Sequence, residues 1–488
     1  MNDSREINLT ILEQVLLPHG MVPAEDFDSS GIILYKGEKR GELQQKVRFM
    51  LSSARTFESA EGEVIERAIR FWRAELSPTG QDGDAGTDEM EVDEEHLKEL
   101  ASDAPVIRLV NHFIARALDL AASDVHFEPE ESELAVRARV DGVMVKIDTI
   151  SAANRTAVAS RLKLMARMDI GEKRLPQDGR IGFQLGGRRL DLRVSTLPGV
   201  HGESIVLRIL DRGDLGTDLN GLGMPSELLA RYNALTQQPN GMILITGPTG
   251  SGKTTTLYAT LDKLNTGNQK IITVEDPVEY QLPGVTQVQV NSAIGLNFAA
   301  GLRSIVRQDP DIILIGEIRD QETADIACES ALTGHLVFST LHTNDAAGAV
   351  SRLMDIGVEP YLISASLLAV QAQRLVRRVC PRCVTDHPLK EDEAQALHLP
   401  RREWATIKRG TGCEYCGGTG YRGRIGLYEL LPFSSAIRRL VNAQADTDEI
   451  RAQAVSEGMV TLRQDALDKL KLGVTTPEEV IRVTSARH

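Results

Sequence analysis

Gly247, Pro248, Thr249, Gly250, Ser251, Gly252, Lys253 and Thr254 read G-x-x-x-x-G-K-T between an apolar run, "MILIT", and the helix-patterned "TTTLYATLDKLN". A loop of that composition in that setting curls its backbone N–H groups around a polyphosphate, because glycine leaves the approach open. Lys253 is placed to reach the β- and γ-phosphates and the Thr254 hydroxyl to ligate Mg²⁺, with Thr255 completing the binding stretch. ATP binding follows. The purpose of hydrolysis does not, since loops of this kind serve signalling, metabolism and mechanical work alike.

Hydrolysis needs a carboxylate to orient water, a group near the metal, and positive charge against the departing γ-phosphate. Glu275 closes the strand-like "KIITVE", with Asp276 and Glu279 just beyond, and Glu317 closes "DIILIGE". In a parallel sheet the C-terminal strand ends open on the ligand crevice, so both glutamates are expected to face the phosphates. Gly316 stands where a Walker B strand usually carries aspartate, which leaves the Mg²⁺ contact to Glu317 through water. Glu275 is the favoured water-activating base and Glu317 the metal-side residue, although the residues alone leave that assignment open. His342 ends a further strand, "HLVFSTLH", where it can sense the γ-phosphate, link neighbouring sites or be structural. His335, at the start of that strand, belongs at the opposite end of the sheet.

Four arginines supply the positive charge. In "RIGFQLGGRRLDLRV" the pair Gly186-Gly187 divides two alternating runs, the mark of a hairpin with a two-residue turn. That register sets Phe183 opposite Leu190 and Ile181 opposite Leu192 on one face, and Arg180 opposite Arg193 on the other. Two guanidiniums side by side cost on the order of a few tenths of a kcal/mol unless an anion lies between them or both splay into solvent. Arg303 and Arg307, four residues apart in "AAGLRSIVRQDPD", are like-charged neighbours on a helix that must stop before Pro310. An arginine donated by a neighbouring subunit raises phosphoryl-transfer rates by about 10³ to 10⁵. The pattern predicts a ring with shared anionic sites.

Cys380 and Cys383 in "CPRC" are separated by 29 residues from Cys413 and Cys416 in "CEYC". Two C-x-x-C knuckles can place four thiolates on one Zn²⁺, closed to water and therefore structural; a redox pair is the rival reading. Cys328, alone in "TADIACESALTG", reads as a core residue.

Positioning these groups takes several domains, and 488 residues exceed one hydrophobic core. Residues 1–76 read as a small helical domain, with Val64, Ile65, Ala68, Ile69 and Trp72 on one face. Residues 77–102 read as a linker, because eight acids and no base lie between Asp82 and Glu95. An α/β domain spans 103–215, beginning with the helical "PVIRLVNHFIARALDLA". Residues 216–376 alternate buried strands with helices and imply a parallel sheet. The cysteine subdomain takes 377–425 and a helical C-terminal part 426–488. The net charge of −14 repels phosphates, so no nucleic-acid partner is expected and DNA translocation is disfavoured. No apolar run approaches the roughly 20 residues of a membrane span. The start, "MNDSREINLTILEQ", lacks the regions of a secretory signal, and the expectation is a cytoplasmic protein.

Taken together, "ASDVHFEP", "RVDGV", "LPQDGRI", "DLRVST", "GPTGSGKTTTLYA", "TVEDPVEY", "LRSIVRQDPDIILIGEIRD", "ALTGHLVFSTLHTNDA" and the spaced cysteines resemble the type II secretion/type IV pilus assembly ATPase family, from about residue 103 to the C terminus. The resemblance implies a multidomain α/β fold: a RecA-like P-loop ATPase core with a mostly parallel sheet, a PAS-like α/β N2 domain, a small zinc-binding insertion and a small helical N-terminal domain. It implies a homo-hexameric motor using ATP, Mg²⁺ and structural Zn²⁺, peripheral to the inner membrane through its partners. Those partners are the cytoplasmic domain of an L-type inner-membrane protein, met by the N-terminal domain, and a polytopic F-type platform protein, with membrane contact indirect. It also implies Asp-box acids at Glu275, Asp276 and Glu279, an atypical Walker B at Glu317, a His box at His342, and arginines reaching nucleotide from N2 and from a neighbour. The implied work is pseudopilus extension that exports folded proteins across the outer membrane. The short N-terminal region and the 29-residue cysteine gap favour this over pilus extension. Intact Lys253, Glu275 and Glu317 weigh against a nucleotide-gated scaffold without turnover.

Overall fold

The computed structural model describes residues 104–185, 188–211, 219–399, 404 and 406–484, together with short stretches of the first 68. The chain divides into two units, Met1–Glu91 and Val92–His488. In the first, β1 (Met21–Pro23), β2 (Ile32–Tyr35) and β3 (Thr56–Ser59) form a three-stranded sheet, β1 antiparallel and β3 parallel to β2. The expectation of a purely helical domain is corrected here: β-branched Val22, Ile32 and Ile33 favour the pleated surface, and Val22 and Ile33 are buried in it. Ile65 and Ala68 of the predicted apolar face do join that core, with Leu16, Met21 and Val47. Ile69, Trp72 and the acidic stretch from Asp82 to Glu95 lie outside the described residues.

Among the described residues the second unit holds two large sheets and a two-stranded one. Helices α1 (Ala104–Asp119) and α2 (Arg155–Ala166) pack on an antiparallel sheet of β4 (Ala122–Pro129), β5 (Glu133–Val140), β6 (Val143–Ser151), β7 (Gln177–Leu185), β8 (Arg188–Gly199) and β9 (Gly202–Asp211). Its order is β6-β5-β4-β9-β8-β7. The β7–β8 hairpin has the predicted register, Ile181 opposite Leu192 in the core and Arg180 opposite Arg193. Its turn residues Gly186 and Gly187 lie outside the described residues.

Helix α3 (Ser226–Thr236) leads into the parallel sheet: β10 (Gly241–Thr246), β11 (Ile271–Glu275), β12 (Thr286–Gln289), β13 (Ile312–Ile315), β14 (Leu336–Leu341) and β15 (Leu367–Val379). A small hairpin of β16 (Val384–Pro388) and β17 (Thr406–Gly410) precedes β18 (Tyr421–Pro432), which pairs antiparallel with β15. The large sheet runs β12-β11-β13-β14-β10-β15-β18. Every residue of β10 is buried because the strand feeds two cores, Met242 and Leu244 on one face, Ile243 and Ile245 on the other. That is why "MILIT" is apolar without alternating. Helices α4 (Lys253–Leu264), α5 (Phe298–Ile305), α6 (Gln321–Leu332) and α7 (Ala346–Asp355) flank the sheet. Boundaries placed after residues 376 and 425 fall inside β15 and β18, so the segment opening at 426 is strand through Pro432 and helical only beyond. Among the described residues no helix is long and apolar enough to cross a membrane.

Candidate active site

The loop between β10 and α4 folds as its glycines require. Gly247, Gly250 and Gly252 have φ of 153°, 78° and 88°, and a Cβ on Gly247 would lie 2.5 Å from the Gln373 carbonyl. Lys253 Nζ donates to the carbonyls of Gly247 at 2.7 Å and Pro248 at 3.2 Å, folded back on its own loop. Burial pulls its ammonium down to about 8, with Glu317 pulling the other way. Thr254 and Thr255 are exposed at the start of α4.

A cavity of about 760 Å³ gathers residues 249–255 with Glu275, Asp276, Glu279, Glu317 and His342. The strand-end carboxylates therefore meet the loop as the parallel topology demands. Glu275 is 4% exposed. Its Oε1 accepts from Thr273 Oγ1 at 2.5 Å and Gln287 Nε2 at 3.1 Å, and its Oε2 accepts from the Tyr258 hydroxyl. Three of the roughly four acceptor directions of a carboxylate are thus taken, and one on Oε2 is left. Burial, followed by the Glu275 charge, pushes the Tyr258 hydroxyl far above its usual range. Glu317 accepts from Arg319 and lies 3.4 Å from His342 Nε2. A Cβ at Gly316 would lie 3.3 Å from both the Phe298 ring and the Val274 carbonyl, a tight fit for any side chain where aspartate is usual. His335 sits at the far end of β14, its Nδ1 2.9 Å from the Ser330 carbonyl.

The antiparallel domain reaches this cavity through residues the sequence reading did not single out, Ser123, Arg208 and Ile209, and β18 adds Arg424. Arg208 is the β9 neighbour of Arg193, so Arg180, Arg193 and Arg208 form a row across β7, β8 and β9. The same two-residue-turn argument applied to Val200-His201 pairs Arg193 with Arg208 and was available in the sequence. Arg208 Nε bonds Asp124 Oδ1 at 3.0 Å. Arg193 donates to the Val278 carbonyl at 3.4 Å and lies 3.9 Å from Glu279 Oε2. Its charge is met by the segment after β11, a third outcome beside the two expected, an anion between the guanidiniums or both side chains in solvent. Arg180 is exposed and, with Arg193, Arg208 and Pro277, borders a second cavity of about 560 Å³.

Arg303 and Arg307 do not line either cavity. Arg303 is paired with Glu322 of α6, and Arg307 donates to Ser304 Oγ at 3.4 Å. The expected repulsion of two arginines on one helix is therefore corrected: α5 ends at Ile305, Arg307 lies in the 3-10 turn Val306–Gln308, and Glu322 of the next helix meets the charge of Arg303.

Cys380, Cys383, Cys413 and Cys416 offer four Sγ atoms all within 4.8 Å of one another. The separations of 3.8 Å (380–413), 3.9 Å (383–416) and 3.7 Å (413–416) match the roughly 3.8 Å edge of a tetrahedron with metal–sulfur bonds of about 2.3 Å. They are well beyond a disulfide, and the donor set suits zinc. Cys328 is fully buried, which pushes its thiol up to about 11, as befits a core residue.

A phosphate-binding loop facing strand-end glutamates, with a second domain's arginine on the same cavity, defines a P-loop nucleotide-hydrolysing architecture of two lobes. The chain belongs to the type II/IV secretion system protein family, whose model matches residues 99–482. It is 45% identical over 431 residues to the type II secretion system ATPase E of Vibrio cholerae serotype O1, covering 88% of this chain and 85% of that protein. It is 47% identical over 435 residues to the type IV pilus assembly ATPase PilB of Myxococcus xanthus, covering 86% and 76%. Its fold is similar to the crystal structure of the pilus retraction motor PilT with bound ADP, with a TM-score of 0.53 and 27% identity over 77% of this chain and 96% of that one.

Proposed function

We propose that the chain is the ATPase motor of a type II secretion system, a homo-hexamer that couples ATP hydrolysis to pseudopilus assembly and export of folded proteins across the outer membrane. The supporting observation is a single cavity lined by residues 249–255, Glu275 and Glu317 of one lobe and Arg208 of the other. Hydrolysis changes the charge in such a cavity, and a charge change felt by two lobes moves one against the other.

In this reading Lys253 leaves its loop carbonyls for the β- and γ-phosphates, and Glu275 takes the attacking water at its one remaining acceptor direction. Glu317 stays on the metal side, steadied by His342. Thr254 and Glu317 are the oxygen donors that would hold Mg²⁺, which supplies countercharge to the triphosphate. Asp276 and Glu279 shape the loop beside it, and Arg193 and Arg208 draw the second lobe onto the phosphates. Arg180, Arg303 and Arg307 serve a neighbouring subunit's nucleotide. Zn²⁺ on Cys380, Cys383, Cys413 and Cys416 closes the tip of the β15–β18 ribbon and takes no part in the chemistry. The N-terminal residues dock on an L-type inner-membrane partner, beside an F-type platform protein, which keeps the protein at the cytoplasmic face without direct membrane contact.

The test is complementation. In a strain lacking its own type II secretion ATPase, the full chain should restore release of a folded exoprotein, and Lys253→Ala should not. Restored surface pili without secretion would favour pilus assembly, the second reading, which the 47% identity to the Myxococcus protein supports.

A further inference from the structure

Gln287, on the edge strand β12, makes three of the four hydrogen bonds open to its amide, with both N–H donors engaged. Its Nε2 donates to Glu275 Oε1 at 3.1 Å and to the Tyr280 carbonyl at 3.1 Å, while its Oε1 accepts from the Leu282 N–H at 2.7 Å. The orientation is fixed by chemistry, since two acceptors face the NH₂ and one donor faces the oxygen. Asparagine is one carbon too short to keep all three bonds, and glutamate would set an acceptor against two acceptors. Loop 276–282 is therefore tied through one side chain to the Glu275 carboxylate. On its other side Arg193, from the antiparallel lobe, bonds the Val278 carbonyl and faces Glu279.

We propose that Gln287 is a positioning residue for hydrolysis: it holds the Glu275 carboxylate in register with loop 276–282, so that a displacement of the loop by the antiparallel lobe moves Glu275 relative to the nucleotide. This rests on the reading that Glu275 takes part in hydrolysis. A side chain that only braced the loop would affect stability or ATP binding. A positioning donor affects turnover of bound ATP, and only while it can donate.

The experiment compares Gln287→Leu, Gln287→Glu and Glu275→Gln in the full chain, measuring binding of a fluorescent ATP analogue, kcat for ATP and the melting midpoint. Gln287→Leu should bind the analogue within about twofold of the parent and lose roughly tenfold or more in kcat. Gln287→Glu keeps the shape. At alkaline pH its carboxylate repels Glu275, whereas on acidification one proton shared by the pair restores a donor between them. Its kcat relative to the parent should therefore climb as the pH falls from about 8.5 to about 6, while the ratio for Gln287→Leu stays flat. A parent-like kcat for Gln287→Leu, a pH-independent ratio for Gln287→Glu, or losses confined to ATP binding or melting would overturn the proposal. An active Glu275→Gln would instead remove the reading of Glu275 beneath it; an inactive Glu275→Gln beside an active Gln287→Leu refutes the role of Gln287 alone.

Discussion

On the parallel-sheet wall of the cavity Glu275 is 4% exposed and held by three donors, and Lys253 is bonded to two loop carbonyls. On the antiparallel wall Arg208 has a side chain 59% exposed, and Arg193 reaches the Asp-box segment only by contacts of 3.4 and 3.9 Å. The Glu275 carboxylate has its donors set before nucleotide arrives, which lowers the reorganisation needed at the moment of reaction, whereas Lys253 has to exchange its two loop carbonyls for phosphate oxygens. On the second wall, the Arg193 contacts are long and the Arg208 guanidinium is largely solvated although its 3.0 Å bond ends on the buried Asp124, so the arginines are the exchangeable partners. In the proposed function one wall serves chemistry and the other movement.

The largest effects should come from the chemical wall. Glu275→Gln and Glu317→Gln are each expected to leave ATP binding nearly intact and to cut phosphate release about 10²-fold or more; unchanged turnover would remove that residue from the chemistry. Losing the zinc ligands comes next. The start of β18 meets the antiparallel lobe directly, Arg422 donating to the Asp119 carbonyl at 3.1 Å and the Gly423 N–H to Asp141 Oδ2 at 2.9 Å. Metal analysis should find about one zinc per chain, and a Cys413→Ser/Cys416→Ser variant should lose it, melt earlier and turn over ATP more slowly. Full zinc-free activity would break the link between the ribbon tip and the moving wall.

Substitutions in the moving wall should be milder and leave the fold alone. Arg193→Ala and Arg208→Ala are expected to lower turnover roughly tenfold with a smaller change in melting midpoint, because the Arg193 contacts are long and Asp124 keeps Arg139 at 3.9 Å when Arg208 is removed. Unfolding of either variant would show that the wall is structural, and a fully active Arg180→Ala/Arg193→Ala double variant would remove that pair from nucleotide work. The smallest effect is the pH dependence of binding. With its ammonium pulled down to about 8 by burial, Lys253 is charged in the empty site below that pH and neutral above it. The triphosphate restores the charge, so proton uptake accompanies binding only on the alkaline side. ATP affinity should be flat near pH 7 and weaken as the pH rises through about 8, and calorimetry showing the opposite slope would contradict the buried lysine.

Chain-local features were the most legible. The phosphate loop, the strand-end glutamates and the β7–β8 register follow from glycine placement and from period-two or buried apolar runs, and the four cysteines from their spacing. What escaped the sequence reading depends on distant segments meeting. Glu322 beside Arg303 and Glu279 beside Arg193 neutralise charges that looked unrelieved. Tyr258, Thr273 and Gln287 become partners of Glu275 only when α4, β11 and β12 are assembled. The antiparallel β15–β18 ribbon is hidden because its two strands lie more than forty residues apart in the chain, on either side of the cysteine knuckles. In the N-terminal unit Ile65 and Ala68 are buried as the helical period places them, Val64 of the same predicted face is exposed, and the short strands β1 to β3, of three or four residues each, carry too little alternation to detect.

The most direct measurement is a structure of the full chain with Mg²⁺ and a non-hydrolysable ATP analogue. A chemical wall met by a moving one predicts that in at least one subunit Arg193 or Arg208 leaves its acidic partner and comes within about 3 Å of a phosphate oxygen, with Lys253 and Glu275 around the same triphosphate. Occupied sites in which Arg208 remains on Asp124 and Arg193 on Val278 and Glu279 in every subunit would contradict it.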